Sequence, residues 1–351
     1  MLGVTPPTVT RLVTELMDSG FVSETSDPSR RGQKGFPAKL LQLVPESFLT
    51  AGVFFDPDQM YSCIADFNGN ILSEEQSPLD SRSFDAIMEQ ASQSIKNQII
   101  SINITSEQIA GCGVCYPCQH TGEPGRVLKT KQFSNWPNVD NQRDLAPFFD
   151  FPMYHINDAK AACLAELYYG ACRGYQNFCY IWLSYGIGGA AVVNRDLYLG
   201  HNFGAAEFGG LFPKSKPRPS GQNLLDTLQA DGHEIDRLSS IQNRHLELPV
   251  SKQWIRTATD DLTWLCLVIA RSFAPEAIVF GGTLNSKIID EIQCQIAGAK
   301  QLGEDFMIAP PDILRATTDT KPQLGAAALP INELLNPSKF RGRTHRGEHS
   351  L

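Results

Sequence analysis

Twice along this chain, apolar strands joined by tight turns are followed by a helix and then by a buried strand. The first instance runs through Leu49–Phe55 and Met60–Phe67, turns at Asn68-Gly69-Asn70 into Ile71-Leu72, continues through helical spacing from Phe84 to Ile100, and ends in Ile109–Cys115. The second brackets a glycine turn with Phe178–Leu183 and Ala190–Val193, adds Leu197–Leu199, continues as a long helix over Trp254–Phe273, and ends in Ala277–Phe280. A strand at Tyr154–Ile156 and a helix from Asp158 to about Gly170 join the two. Turn residues between alternating strands signal hairpins, and helical periodicity before an apolar run signals a crossover to a parallel strand. The repeated order predicts an α/β protein of two related lobes with a cleft between them.

Length and composition are those of a globular chain. At 351 residues it has room for two or three domains at roughly 100–200 residues each. No run of about 18 apolar residues exists, so no membrane-spanning helix is predicted. The first residues lack the basic and apolar regions of a signal peptide. Nine scattered cysteines fit a reducing cytoplasm better than a disulfide framework.

A net charge of −8 argues at first against nucleic acid, but the charge is unevenly spread. Residues 1–45 hold five basic and four acidic groups, residues 337–351 four and one, and the stretch between carries −12. Pro28 to Leu40 has four basic residues and no acid.

The first 45 residues read as part of a winged helix-turn-helix. Thr5-Pro6-Pro7 is a helix start, with a capping hydroxyl and proline in the first turn. Val9, Leu12, Val13 and Leu16 form one apolar stripe, and Gly20 ends the helix. Short strands at Phe21–Glu24 and Lys39–Leu43 flank a polar, basic, glycine-rich loop. Thr8, Thr10, Arg11 and Thr14 are the polar positions that would face a major groove, and Arg30, Arg31 and Lys34 would meet phosphates. A small amphipathic helix and hairpin packed on the body is the plainer alternative. A complete helix-turn-helix needs one or two helices before this one, so the module reads as truncated.

Six motifs in order resemble the ROK family of sugar-responsive repressors and sugar kinases. Ile156-Asn157-Asp158-Ala159-Lys160-Ala161-Ala162, with Glu166 and Gly170-Ala171, resembles its signature. Ser184-Tyr185-Gly186-Ile187-Gly188-Gly189 resembles its second phosphate loop, and Gly200 to Gly209 its glycine-rich Gly-Glu segment. Gly281-Gly282 resembles its adenosine-side turn, Leu324-Gly325-Ala326-Ala327 its C-terminal helix, and Gly32 to Ala38 the wing of its repressor members. The resemblance covers about residues 3–335. It implies an actin-like (ribonuclease H-like) two-lobe fold behind the partial winged helix. The expected division is residues 1–45 for the DNA-binding module, 46–155 for the first lobe completed by 317–336, 156–316 for the second lobe, and 337–351 for a disordered basic tail.

By resemblance, Asp158 is the general base of a kinase and Asn157 a sugar ligand. A carboxylate at a strand-to-helix junction accepts a hydroxyl proton, although helix capping by Asp158 would account for the residue equally. Glu207 matches a sugar-binding glutamate, Asn135 lies near a further sugar loop, and Asp226 falls where a trailing glutamate of the family's zinc cluster would be.

Departures from the family are equally informative. The family's cysteine cluster is replaced by Lys216 to Asp226, which contains no cysteine, so no structural zinc is expected. Cys112, Cys115 and Cys118, with His120 nearby, have metal-like spacing, but residues three apart on a strand face opposite ways and read as core. The first phosphate loop is Phe55-Asp56-Pro57-Asp58-Gln59, without glycine and with an added carboxylate. Tyr185 stands where the second loop usually carries a small hydroxyl residue. ATP and magnesium are therefore expected only if the chain is a kinase.

Two readings follow, with a third behind them. The first is a cytoplasmic transcriptional regulator that senses a sugar between its lobes, binds operator DNA if its winged helix is complete, and assembles as a dimer or tetramer. The second is an ATP-dependent hexose or N-acetylhexosamine kinase using Asp158 as base. The third is a sugar-binding protein that does neither.

Overall fold

The computed structural model describes residues 5–26, 39–79, 81–120, 127–128, 133, 136, 139, 141–298, 310–318 and 321–336. Helix α1 spans Pro6–Asp18 and starts on prolines, whose missing N–H costs nothing in a first turn. Thr5 precedes the helix but does not cap it through its side chain; its hydroxyl meets that of Thr8 at 2.9 Å. Gly20, at a φ of 75°, turns the chain into β1 (Val22–Ser26), which pairs antiparallel with β2 (Lys39–Leu43). The expected apolar stripe is not buried: Val9, Leu12 and Leu16 are 42–44 % exposed. Among the described elements α1 packs chiefly on β1, too small a surface to cover the stripe.

The first lobe contains β3 (Leu49–Phe55), β4 (Gln59–Ala65), β5 (Ile71–Pro78), α2 (Phe84–Ser101) and β6 (Ile109–Tyr116), then the two-residue strands β7 (Gln119–His120) and β8 (Val127–Leu128), and β9 (Met153–Asn157). Helix α3 (Asp158–Tyr168) leads to the second lobe: β10 (Phe178–Leu183), β11 (Ile187–Val193), β12 (Asp196–Leu197), α4 (Gly221–Ala230), α5 (Asn243–Leu246), α6 (Pro249–Phe273), β13 (Ala277–Gly281), α7 (Ser286–Ala297) and β14 (Asp312–Arg315). Helix α8 (Pro322–Leu335) returns to the first lobe.

Both main sheets share one plan. Their orders are β5-β4-β3-β6-β9 and β12-β11-β10-β13-β14. In each, three antiparallel strands come first in the chain and two further strands then add in parallel. This is the actin-like fold, and it accounts for the repeated pattern in the sequence.

Strand β3 is buried at all seven positions because both faces are covered. Ile87, Met88, Ala91 and Ile95 of α2 fill the core on one side. Helix α8 lies on the other side so closely that a Cβ at Gly52 or Gly113 would overlap the carbonyls of Gln323 or Ala326. Cys112 and Cys118 join the core under α2, while Cys115 joins the core around α3, on the opposite face of β6. All three are buried, as expected of core thiols.

Among the described residues the lobes are connected by α3 going out and by Ala316, Thr317 and Thr318 at the start of the return. The wholly buried carboxylate of Glu166 ties them together. It accepts the backbone N–H groups of Ala171 (2.7 Å) and Thr317 (2.8 Å) and the hydroxyl of Thr318 (2.6 Å).

Candidate functional site

The site forms where β9 ends and α3 begins. Asn157 is the N-cap of α3: its Oδ1 accepts the amides of Ala159 (3.0 Å) and Lys160 (3.4 Å). Its Nδ2 donates to the carbonyl of Cys118 at 2.7 Å. The N-cap position considered for Asp158 thus belongs to its neighbour.

Asp158 is 7 % exposed and accepts the N–H of Ala159 at 2.8 Å. Burial pushes its pKa up to about 6, against the pull of the Ala159 amide and the Lys160 ammonium. Near neutral pH such a carboxyl exchanges its proton readily, so it accepts or donates to a ligand hydroxyl.

Lys160 is wholly buried, and its ammonium donates to Glu207 Oε1 at 3.1 Å. The Glu207 side chain is 40 % exposed, so this acid joins a buried cation to solvent. Sequence reasoning missed Lys160, because a lysine in the first turn of a helix normally reads as a surface residue. The signal was its company: Ala159, Ala161, Ala162, Cys163 and Leu164 are apolar on every side, so no face of α3 is left for solvent.

Glycines predicted to cradle phosphate divide by role. A Cβ at Gly188 would lie 2.8 Å from that of Ala159, and one at Gly189 would overlap Phe208. These two bring α3 and the Glu207 segment onto β11. Gly281 and Gly282 let the end of β13 approach Tyr180 and Leu183, and Gly282 has a φ of 141°, which favours glycine. A Cβ at Gly186 would meet open space.

Asp158, Lys160, Glu207 and Asn157 therefore converge. Asp226 does not join them: it is exposed on α4 and accepts from Gln222 at 2.9 Å. Asn135, Arg30, Arg31, Lys34 and the basic tail lie outside the described residues.

The turns corresponding to the two phosphate loops meet each other. Asp56 Oδ1 accepts the amides of Asp58 (2.8 Å) and Gln59 (2.9 Å), and burial raises its pKa to about 6. Pro57 has no N–H to offer, and the Asp58 carboxylate projects from this turn to the Tyr185 hydroxyl at 2.8 Å. A polyphosphate does not fit these residues, because it would meet a carboxylate where the family's kinases offer backbone N–H groups.

On α1, Thr10 and Thr14 return their hydroxyls to the helix carbonyls of Pro6 (3.2 Å) and Thr10 (3.1 Å). Arg11 pairs with Glu15 at 2.9 Å on the exposed surface, and Thr8 is half-buried.

Comparison with known proteins bears on these observations. The ROK family model matches residues 51–333. The uncharacterized protein y4fQ of Sinorhizobium fredii is 31 % identical over 303 residues, covering 83 % of this chain and 76 % of that protein. The xylose repressor of Bacillus spizizenii is 22 % identical over 363 residues, covering 97 % of this chain and 91 % of the repressor. Among solved structures, a ROK family transcriptional regulator homologous to the Escherichia coli MLC protein superposes with a TM-score of 0.68 at 18 % identity, covering 93 % of this chain and 88 % of that one. A Streptomyces griseus glucokinase in complex with glucose and AMPPNP gives a TM-score of 0.63 at 20 % identity, covering 80 % of this chain and 98 % of that one.

Proposed function

The chain belongs to the ROK family, and from that premise we propose that it is a sugar-responsive transcriptional regulator. The observation that carries this reading is the α1–β1–β2 module, which lies before residue 51, where the family match begins. The glucokinase, matched over almost its full length, covers 80 % of this chain, whereas the regulator structure covers 93 %. A helix followed by a two-stranded wing is what a DNA-reading module supplies and a sugar kinase does not need.

The effector sits between the lobes on Asp158, Lys160 and Glu207, with Asn157 holding the frame. One ammonium donor, one exchangeable carboxyl and one carboxylate match the mixed donors and acceptors of a polyol. A shift of the angle between the lobes around it changes the spacing of paired DNA-binding modules in a dimer. Thr8, Thr10, Arg11 and Thr14 face the DNA. Neither a nucleotide nor zinc enters this reading. The phosphate turns do not fit a nucleotide, and residues 216–226, without cysteine or histidine, do not fit tetrahedral zinc.

The test uses fluorescence anisotropy with the DNA upstream of the protein's own gene. Xylose, glucose and N-acetylglucosamine are the first effectors to try, since two of them name regulator relatives. We expect one sugar to shift DNA affinity at least tenfold, and Arg11→Ala to weaken binding about fivefold at every sequence. Sugar-dependent ADP release from ATP at an ordinary kinase rate would overturn the reading.

A further inference from the structure

Asp58 and Tyr185 stand on different lobes, at the tips of two hairpins. Asp58 lies between β3 and β4, and Tyr185 between β10 and β11. The Tyr185 hydroxyl donates to the Asp58 carboxylate, with both oxygens at 2.8 Å. Ser239 Oγ donates to Asp58 Oδ2 at 3.1 Å, and the Leu238 N–H donates to the Tyr185 oxygen at 3.2 Å. Asp58 is 4 % exposed, so water competes little for these bonds. Burial pushes the Tyr185 pKa further up, so the phenol keeps its proton and remains a donor.

Both turns are held from behind. The Asp56 carboxylate pins the first through the amides of Asp58 and Gln59, and Arg82 donates to the Pro57 carbonyl at 3.2 Å. In the second, Ser184 N–H donates to the Gly186 carbonyl at 3.0 Å, and Gly221 N–H to the Ser184 carbonyl at 2.8 Å. Neither hairpin tip can follow the other without dragging its strands.

We propose that Asp58, Tyr185 and Ser239 form an interlobe strut that sets the angle between the lobes in the protein without nucleotide. By the family resemblance these turns are where a nucleotide's phosphates would bridge the lobes. The chain has replaced that removable bridge with a permanent internal one. The core that the lobes share around α3 and α8, where Phe54 meets Trp182, is one attachment between them, and the strut is a second at the hairpin tips. Two separated attachments hold an angle that a single hinge leaves free.

The consequence is mechanical and goes beyond the regulator reading. An effector that changes the lobe angle must work against the strut, so strut strength sets the resting state. A charge-assisted hydrogen bond between buried groups suits such a strut, being strong when made, directional, and lost as a unit.

Hydrogen exchange on the full chain tests the strut, read in peptides covering residues 55–60 and 184–187. Tyr185→Phe removes one oxygen and keeps the ring. We expect exchange in both segments to rise about tenfold, and the radius of gyration from small-angle scattering to increase. Asp58→Asn should have a similar effect, and the double variant should exchange no faster than either single one. Ser239→Ala is the milder variant that remains informative if the others fold poorly, with an expected rise of two- to threefold. Exchange within twofold of the unaltered protein in Tyr185→Phe and Ser239→Ala, or single effects that multiply in the double variant, would overturn the strut. Protection of both segments by 1 mM AMPPNP with magnesium would overturn it as well. Failure of the regulator reading shows elsewhere, as loss of DNA binding with these exchange rates unchanged.

Discussion

Glu166 accepts the backbone N–H of Thr318 at 2.7 Å, across 152 residues of chain, and so locks the outgoing crossing between the lobes to the returning one. A buried carboxylate surrounded by donors is a fixed pivot, since no rotation of one crossing leaves the other undisturbed.

Glu166→Gln turns one acceptor into a donor facing the N–H groups it used to bind. We expect a loss of about 2–3 kcal/mol in urea unfolding, from buried donors left without acceptors. Gly170→Ala should cost a comparable amount, because a Cβ there would overlap the same carboxylate. An unchanged urea midpoint in both variants would remove Glu166 from the pivot.

Asp158 has its pKa raised from 3.8 to about 6 by burial. The folded state holds this proton more tightly than the unfolded chain does. Stability from this group therefore falls as pH rises from about 4 through about 6, and the cost is full above that range. Asp158→Asn should raise stability by about 2–3 kcal/mol at neutral pH and leave it unchanged near pH 4. Urea titrations of both proteins at the two pH values check this. The same variant should lose sugar response, since a site acid that destabilises its own fold is kept for its ligand.

Lys160→Met keeps the length and volume of the buried stem and removes the ammonium. Glu207 is exposed enough to turn to water, so we expect stability to change by less than about 1 kcal/mol. Calorimetry with the sugar that binds the unaltered protein should show affinity reduced at least tenfold. Equal affinity would take Lys160 out of the site.

Of the nine cysteines, eight are buried and Cys294 is exposed on α7. Burial also pushes the thiols of Cys63, Cys112 and Cys115 away from ionisation. A thiol reagent such as DTNB should modify one group rapidly in the native protein and nine in urea, and Cys294→Ser should remove the fast phase. Rapid modification of Cys112, Cys115 or Cys118 would show that β6 opens.

The elements legible in the sequence were those whose burial is set by their own pattern. Strands β3 and β10 are buried throughout and almost wholly apolar, and they fall where their runs place them. Helices α4 and α7 and strand β14 were missed. They are short and amphipathic, and their apolar sides are explained only by the core of the second lobe that they close. The candidate residues Asp158 and Glu207 were named from the local runs Ile156–Ala162 and Gly200–Gly209 that resemble the family's. The site was not legible at Lys160, whose burial depends on β11 and the Glu207 turn closing over it. The placement of Asp226 followed a family pattern whose cysteines this chain lacks, and in its place the helix carries Asp226 outward. The apolar stripe of α1 shows the limit of periodicity, which identifies a face but not what covers it.

The close seating of α8 on Gly52 and Gly113 has a consequence for biosynthesis. The first lobe emerges from the ribosome early, yet the helix that covers one face of its central strands is made more than 200 residues after β6. At about 5–20 residues per second, that apolar face waits on the order of ten seconds or more for its lid. During translation this sheet is the part of the nascent chain that a chaperone has most reason to hold.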